Sequence, residues 1–247
     1  MDLSESLSYL SSLTRFGMVL GLERIQALCD RFDHPETKLR VLHVGGTKGK
    51  GSVSMMLSNM LHAAGQRVGT FVKPHLYDVR ERVQVDLKPI DGDSFTSLMS
   101  EIKPAVAEVA AGKYGTPTEF EVKTLLMFLH FARVPVDTAV IEVGLGGTYD
   151  STNVLQPLLS VITNISLDHV DRLGHTIPEI AAQKAGIIKA GKPVVTAARN
   201  PEAIAVIERA AADKDAPLWR IGRDFDYTRQ GYAEGWQRFN VRTPLRE

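Results

Sequence analysis

The 247-residue sequence predicts an α/β domain, a mostly parallel sheet with helices on both faces. Three observations carry that prediction. Short apolar runs alternate with stretches of helical period along most of the chain. The runs 138–143 and 158–164 are β-branched and lack the alternation of a half-exposed strand, the pattern of parallel strands covered on both faces. A glycine-rich turn joins the first apolar run to a helix, so a strand, loop and helix unit stands near the start.

Residues 39–44 read as that first strand and 52–64 as its helix, with Val53, Met56, Leu57, Met60 and Leu61 at helical spacing. Residues 67–72 read as the next strand. Pro89 and Gly92 mark 86–93 as a loop ahead of a helix over 94–111. Thr118 and Glu121 form a capping-box pattern in front of an apolar helix over 120–132. Thr176-Ile177-Pro178-Glu179 and Asn200-Pro201 each place a capping side chain before a helix-starting proline, with a strand over 193–196 between the two helices. After Arg223 the pattern changes, and 225–227 with 236–241 suggest a terminal antiparallel hairpin, solvated rather than an RNA-stacking platform.

Composition narrows the function. Hydrophobic residues make up 44% and charged residues 23%, ordinary globular usage, which excludes disorder as the main state. With 29 basic and 29 acidic side chains there is no global field to gather a nucleic acid, so any phosphate recognition must be local. The apolar stretch 125–132 is broken by His130 and too short to span a bilayer, and the acidic start lacks the basic region of a signal peptide. These features point to a cytoplasmic chain with no membrane partner. The single cysteine, Cys29, excludes an intrachain disulfide, and its place on a stripe with Leu22, Ile25 and Leu28 points to core packing.

The strongest chemical signal is Gly45-Gly46-Thr47-Lys48-Gly49-Lys50-Gly51-Ser52, between a strand and a helix. Glycines let backbone N–H groups turn toward phosphate oxygens, Lys50 can reach the β/γ region, and Ser52 can ligate Mg²⁺. The stretch departs from the ordinary phosphate-loop pattern, which needs glycine where Val44 stands and a hydroxyl where Gly51 stands. Glu142 ends an apolar strand just before Gly144-Leu145-Gly146-Gly147; it suits a Mg²⁺ ligand or a turn cap. Asp168-His169 follows the strand over 158–164, in the kind of loop where such sheets gather ligands.

This loop, with an extra residue between the Gly-Lys pair and the hydroxyl, resembles that of the Mur ligase superfamily, and within it the folylpolyglutamate and dihydrofolate synthases. The likeness runs from Phe16-Gly17-Met18-x-Leu20-Gly21-Leu22-Glu23-Arg24-Ile25 through the loop, Pro74-His75-Leu76 and Arg80-Glu81-Arg82. It continues through Phe120-Glu121, Glu142-Val143-Gly144-Leu145-Gly146-Gly147, Asp150-Ser151-Thr152-Asn153, Asp168-His169 and Gln183-Lys184-Ala185-Gly186-Ile187-Ile188. The resemblance implies a Mur-ligase-like ATP-binding domain over 1–247 that uses ATP and Mg²⁺, with folate and L-glutamate as substrates, and a monomer. It implies nucleotide contacts from Gly46, Thr47, Lys48, Gly49, Lys50, Gly51, Ser52 and Val53, with Asp150 and Asn153 shaping the same pocket. Ser52, Glu142 and His169 would meet Mg²⁺, joined by Lys184 if carbamylated, since an ammonium has no lone pair to offer. Lys50, His169 and Lys184 are then the catalytic candidates.

On the substrate side the resemblance implies Pro74, His75, Arg80, Arg82 and Phe120. The two arginines read equally as binders of an acidic substrate or as surface ion pairs, and Phe120 equally as core. Two substitutions set the chain apart: Lys48 replaces the asparagine common in bacterial members, and Lys73 replaces a serine that ligates a second Mg²⁺. Family members continue into a C-terminal domain, so the chain is expected to be an N-terminal ATPase domain, inactive alone. The alternatives are a nucleotide-binding module without turnover, or a Mur-type ligase of peptidoglycan precursors, whose extra N-terminal domain the residues before Gly45 are too few to form.

Overall fold

A computed structural model of the chain describes residues 1–17 and 19–243; Met18 and residues 244–247 lie outside the described residues. The chain opens with α1 (Leu3–Ser12), started by a capping box in which Asp2 and Glu5 bond each other's backbone N–H, and α2 (Glu23–Asp30). Then follow β1 (Val41–Gly45), α3 (Lys50–Ala63), β2 (Val68–Phe71), β3 (Val83–Val85), β4 (Lys88–Pro89), α4 (Gly92–Ala110), α5 (Glu119–Arg133) and β5 (Thr138–Glu142). The remainder is β6 (Leu159–Ile162), α6 (Val170–Leu173), α7 (Ile177–Ala185), β7 (Val194–Thr196), α8 (Pro201–Ala212), β8 (Leu218–Arg220), β9 (Asp226–Ala233) and β10 (Trp236–Arg242).

Eight strands form one sheet in the order β4-β3-β2-β5-β1-β6-β7-β8. From β2 to β8 every pairing is parallel; β3 and β4 extend the sheet antiparallel at one edge. Val44 is level with Glu142, Gly45 with Ile162 and Phe71 with Ile141, so β2, β5, β1 and β6 end on one line. From β1 the chain first crosses toward β2, and β6 later lies on the other flank. Loops at the carboxyl ends diverge there, which is where open α/β sheets bind ligands.

Alternate residues of the central strands enter different cores. Val41, Phe71, Ala139 and Ile141 pack with α1, α2, α4 and α5, whereas Val44, Val68 and Val140 are covered by Val53, Leu57 and Leu61 of α3. Both faces of the sheet therefore carry helices. A third cluster joins Val143, Ile162 and Val194 to α7 and α8. Within the predicted stripe of α3, Met56 and Met60 remain solvent-facing; Ser54 and Ser58 are buried instead, and Thr70 Oγ1 donates to Ser58 Oγ at 2.7 Å. Cys29 is buried, as the stripe suggests.

The sequence pattern predicts a loop over 86–93, yet Lys88 and Pro89 pair with β3 across a turn at Asp86 and Leu87, both in the left-handed region. That strand is two residues long and exposed, too short to leave a pattern. The final ribbon of β9 and β10 is exposed and held partly by an edge-on contact of Tyr227 with Phe239. Among the described residues no helix is long and apolar enough to cross a membrane.

Candidate active site

The segment between β1 and α3 is shaped by the strand end beside it. Thr47 N–H donates to Asn164 O at 2.8 Å, and the Asn164 amide brackets Lys48, accepting from its N–H and donating to its carbonyl, each at 3.0 Å. Thr163 Oγ1 donates to the same carbonyl at 2.7 Å. Gly46 has φ +132°, and a Cβ there would overlap Thr163 Oγ1, so only glycine lets the loop run this close to β6. Gly49 caps α3 in the left-handed region. Beyond it the N–H groups of Lys50, Gly51 and Ser52, in the first helical turn, lack intrahelical partners and form an electropositive cradle. Val53 corrects the predicted stretch: its N–H is spent on Gly49 O at 2.9 Å and its side chain packs on the sheet.

Four lysines surround the cradle. Lys50 Nζ donates to Gly46 O and Thr47 O, each at 3.1 Å, and Lys184 Nζ donates to the same Gly46 O at 2.9 Å. Burial lowers the affinity of both for a proton, and for Lys184, with Lys50 next to it, the pKa is pushed down to about 8. As an ammonium, Lys184 is a clamp on the loop and not a metal ligand. Lys48 Nζ reaches Asp168 at 2.9 Å, which holds that carboxyl below its ordinary range. Lys73 closes the far side; its N–H donates to Glu142 Oε2 at 3.0 Å.

Glu142 is buried, and desolvation raises its pKa against the pull of the Lys73 N–H and of Lys50. A Cβ on Gly51 would lie 3.4 Å from Glu142 Oε2, so the carboxylate abuts the start of α3. Its second oxygen has no protein partner among the described residues. Ser52 is exposed on the same turn. His169 stands apart: it caps α6 in the left-handed region, is largely exposed, and has Nε2 3.9 Å from Asp168 Oδ1. Among the described residues no three His, Cys, Asp or Glu side chains gather as a metal site.

Beside this cluster a cavity of about 530 Å³ opens between residues 14–17 and 19–21, the start of α5 and the turn after β5. Lys73, Pro74, Arg82, Phe120, Lys123 and Asp150 line it. The two arginines part company. Arg82 faces the cavity and donates from Nε to His75 Nδ1 at 2.8 Å, whereas Arg80 is taken up by an ion pair of 2.6 Å with Asp78 and is absent from the lining. Phe120 serves both readings, with its ring centroid 6.2 Å from that of buried Phe71 while part of the ring lines the cavity. Gly144 sits under it, and a Cβ there would come within 2.5 Å of Phe120 and Asp150.

Asp150 and Asn153 act on the walls. Asp150 accepts from Leu145 N at 2.7 Å, Thr152 N at 3.0 Å and Thr152 Oγ1 at 2.6 Å, and Asn153 Nδ2 donates to Thr148 O and Gly186 O. Both are buried, and they fix the turn after β5 against α7. Sequence reasoning missed Asn164, Lys123 and Arg24. Lys123, buried in an apolar helix with its ammonium 2.7 Å from Glu119, was visible as a charge inside a hydrophobic run. Arg24 bonds Glu121 and the Val19 carbonyl, tying the cavity's loop to α5.

Residues 44–241 match the Mur ligase middle domain family. The chain is 47% identical over 212 residues to a dihydrofolate synthase/folylpolyglutamate synthase of Bacillus subtilis, covering 85% of this chain and 49% of that protein. To a folylpolyglutamate synthase of Lacticaseibacillus casei it is 38% identical over 241 residues, 97% of this chain and 56% of the relative. A solved Mycobacterium tuberculosis folylpolyglutamate synthase with ADP and AMPPCP superposes with a TM-score of 0.89 at 35% identity, over 97% of this chain and 55% of that one. An FPGS–AMPPCP–folate complex superposes with a TM-score of 0.89 at 36% identity, over 98% and 59%. The chain spans about half the length of the curated relatives it matches. With loop, sheet and sequence in agreement, the chain belongs to the Mur ligase middle domain family, on the branch of the folylpolyglutamate and dihydrofolate synthases.

Proposed function

We propose that this chain is the ATP-binding part of a ligase that adds L-glutamate to a folate through an acyl phosphate. One observation carries the reading: Lys73 lines the 530 Å³ cavity, and its backbone bonds Glu142, whose carboxylate lies against Gly51 at the end of the phosphate-type loop. A carboxylate seated in the cavity would meet the γ-phosphate of a nucleotide in the loop. Its oxygen attacks the γ-phosphorus, the bond to the β,γ-bridging oxygen breaks, and ADP leaves with the electron pair. The amine of L-glutamate then displaces phosphate to give the amide. Solved relatives with AMPPCP and with folate support both ligand classes.

The residues act by position and charge. N–H groups at the start of α3 and the Lys50 ammonium take the phosphates, with Gly46, Thr47, Lys48, Gly49 and Gly51 giving the loop its path. Glu142 and Ser52 suit Mg²⁺: a hard cation takes oxygen donors, and Glu142 offers a carboxylate oxygen with no other partner beside an exposed hydroxyl. Bound there, Mg²⁺ would neutralise phosphate charge and act as a Lewis acid. Lys184 would join that set only as a carbamate, and its lowered pKa favours the neutral amine that reacts with CO₂. His169 reaches the loop only through its neighbour Asp168, which Lys48 bonds. Arg82, His75, Pro74 and Phe120 form the acceptor side, and Arg80 is withdrawn from it by Asp78.

Titration calorimetry with MgATP tests the loop. Wild type should bind, and Lys50→Ala should lose at least tenfold in affinity, as expected when a charge-assisted bond to phosphate is removed. Equal affinities would overturn the assignment.

A further inference from the structure

The cations around the site are each matched to an acceptor, with one exception. Lys50 and Lys184 bond loop carbonyls, Lys48 bonds Asp168, Lys123 bonds Glu119, and Arg82 bonds His75. Lys73 is half-buried, as Lys50 and Arg82 are, yet among the described residues its ammonium has no hydrogen-bonding or ion-pairing partner. It stands over the face of Phe120, 5.9 Å from Nζ to the ring centroid, and feels the charges of Asp150 and Glu142 without bonding either. That contact aims the charge into the cavity. The backbone of the same residue is anchored to Glu142, beside the loop, so the ammonium stands where cavity and loop adjoin. A desolvated charge held without a partner is costly, and the group that would balance it is an anion. The loop phosphates already have Lys50 and the helix start. The cavity has Arg82, engaged with His75, and Lys123, engaged with Glu119.

We propose that Lys73 binds the reacting carboxylate of the acceptor and holds it for attack on the γ-phosphorus, an inference that rests on the ligase reading above. The ammonium keeps its proton throughout. It donates to one carboxylate oxygen while the other forms the bond to phosphorus, and it stays beside the acyl phosphate that results. Lys73 would then be a catalytic residue, touching the reacting group, and would select acceptors that carry a free carboxylate.

The test uses the 247-residue chain and two ligands, folate and folate with both side-chain carboxylates converted to amides. Affinities for each, and for MgATP, are measured with wild type, Lys73→Met and Lys73→Arg, with Lys73→Gln as a second neutral variant if the methionine protein does not fold. Lys73→Met should weaken folate by about tenfold or more, the usual scale of a charge-assisted bond, while Lys73→Arg retains most of the affinity. Binding of the diamide and of MgATP should stay within about twofold, as expected for groups that never met this charge. Equal losses for folate and diamide, or no loss for either, overturn the proposal and leave the folate reading intact. A loss confined to MgATP overturns it by assigning the ammonium to phosphate. Wild type that binds neither folate nor diamide overturns the folate reading itself, and this proposal with it.

Discussion

His43 lies in the middle of β1, fully buried, and its protonation state follows from its neighbours. Thr152 Oγ1 has one hydrogen and gives it to Asp150 Oδ1 at 2.6 Å, so at the 2.8 Å contact His43 Nε2 must be the donor. Nδ1 is left bare and without a partner. Burial, with the charge of Lys189, pushes the pKa of the ring down to about 3. The unfolded chain takes up a proton near the ordinary histidine value while the native state refuses it until far lower. Stability from this group is therefore complete above about pH 6.5 and falls as pH drops toward 3, by at most about 1.4 kcal/mol per pH unit. Urea unfolding at pH 7.5 and 4.5 should show a smaller acid loss for His43→Leu than for wild type, and parallel losses would sink the assignment. The sequence showed this histidine only as a letter in a motif. Whether such a ring is buried depends on which strands flank it, and that is a long-range fact. The same limit applies to Arg80 and Arg82, two residues apart in one charged run, whose fates were divided by Asp78 and His75.

At the scale of the element, local chemistry was legible wherever it is short-ranged. The capping pairs Thr118 with Glu121 and Thr176 with Glu179 form as read, and Asn200 caps α8. The pair Asp2 and Glu5 has the same form but precedes a helix whose apolar stripe is thin, and it passed unread. β3, β4 and β8 are two or three residues long and lie at or near the sheet's edges, where packing neighbours and not residue pattern make a strand. The turn after β5 carries a prediction of its own. Gly144 lies so close to the Phe120 ring and Asp150 that Gly144→Ala should force the ring into the cavity, destabilising the fold by about 1–3 kcal/mol as an overpacked site does. Folate affinity should fall more than MgATP affinity. Unchanged stability together with unchanged folate binding would show that the wall yields freely.

The whole molecule assembles the site from parts remote in sequence. β1 is paired with β5 on one side and β6 on the other, which levels the loop, Glu142 and Asn164 at one end of the sheet. The sequence made the parallel sheet and the motif order readable. It did not disclose strand order, nor that the start of α5 would line the cavity together with Gly17, Val19, Leu20 and Gly21. On the proposed reading nucleotide contacts only the assembled arrangement, so saturating MgATP should stabilise the native state. At a hundredfold excess over Kd the gain is about 2.7 kcal/mol, read as a shift in the urea midpoint, and at the same MgATP concentration Lys50→Ala should lose at least about half of it. Equal shifts in the two proteins would show that nucleotide stabilises through contacts other than this loop.

The tie between Lys184 and Gly46, 138 residues apart, has a consequence for the resting state. Where a phosphate draws Lys50 away, as the proposed reading has it, Thr47 O must turn to a water for its donor. Gly46 O keeps a donor, because the ammonium of α7 stays in place. On the proposed reading nucleotide entry is thus an exchange of partners in which the buried Gly46 carbonyl, where the loop runs against Thr163, always keeps a donor. The loop can release its lysine without losing its shape.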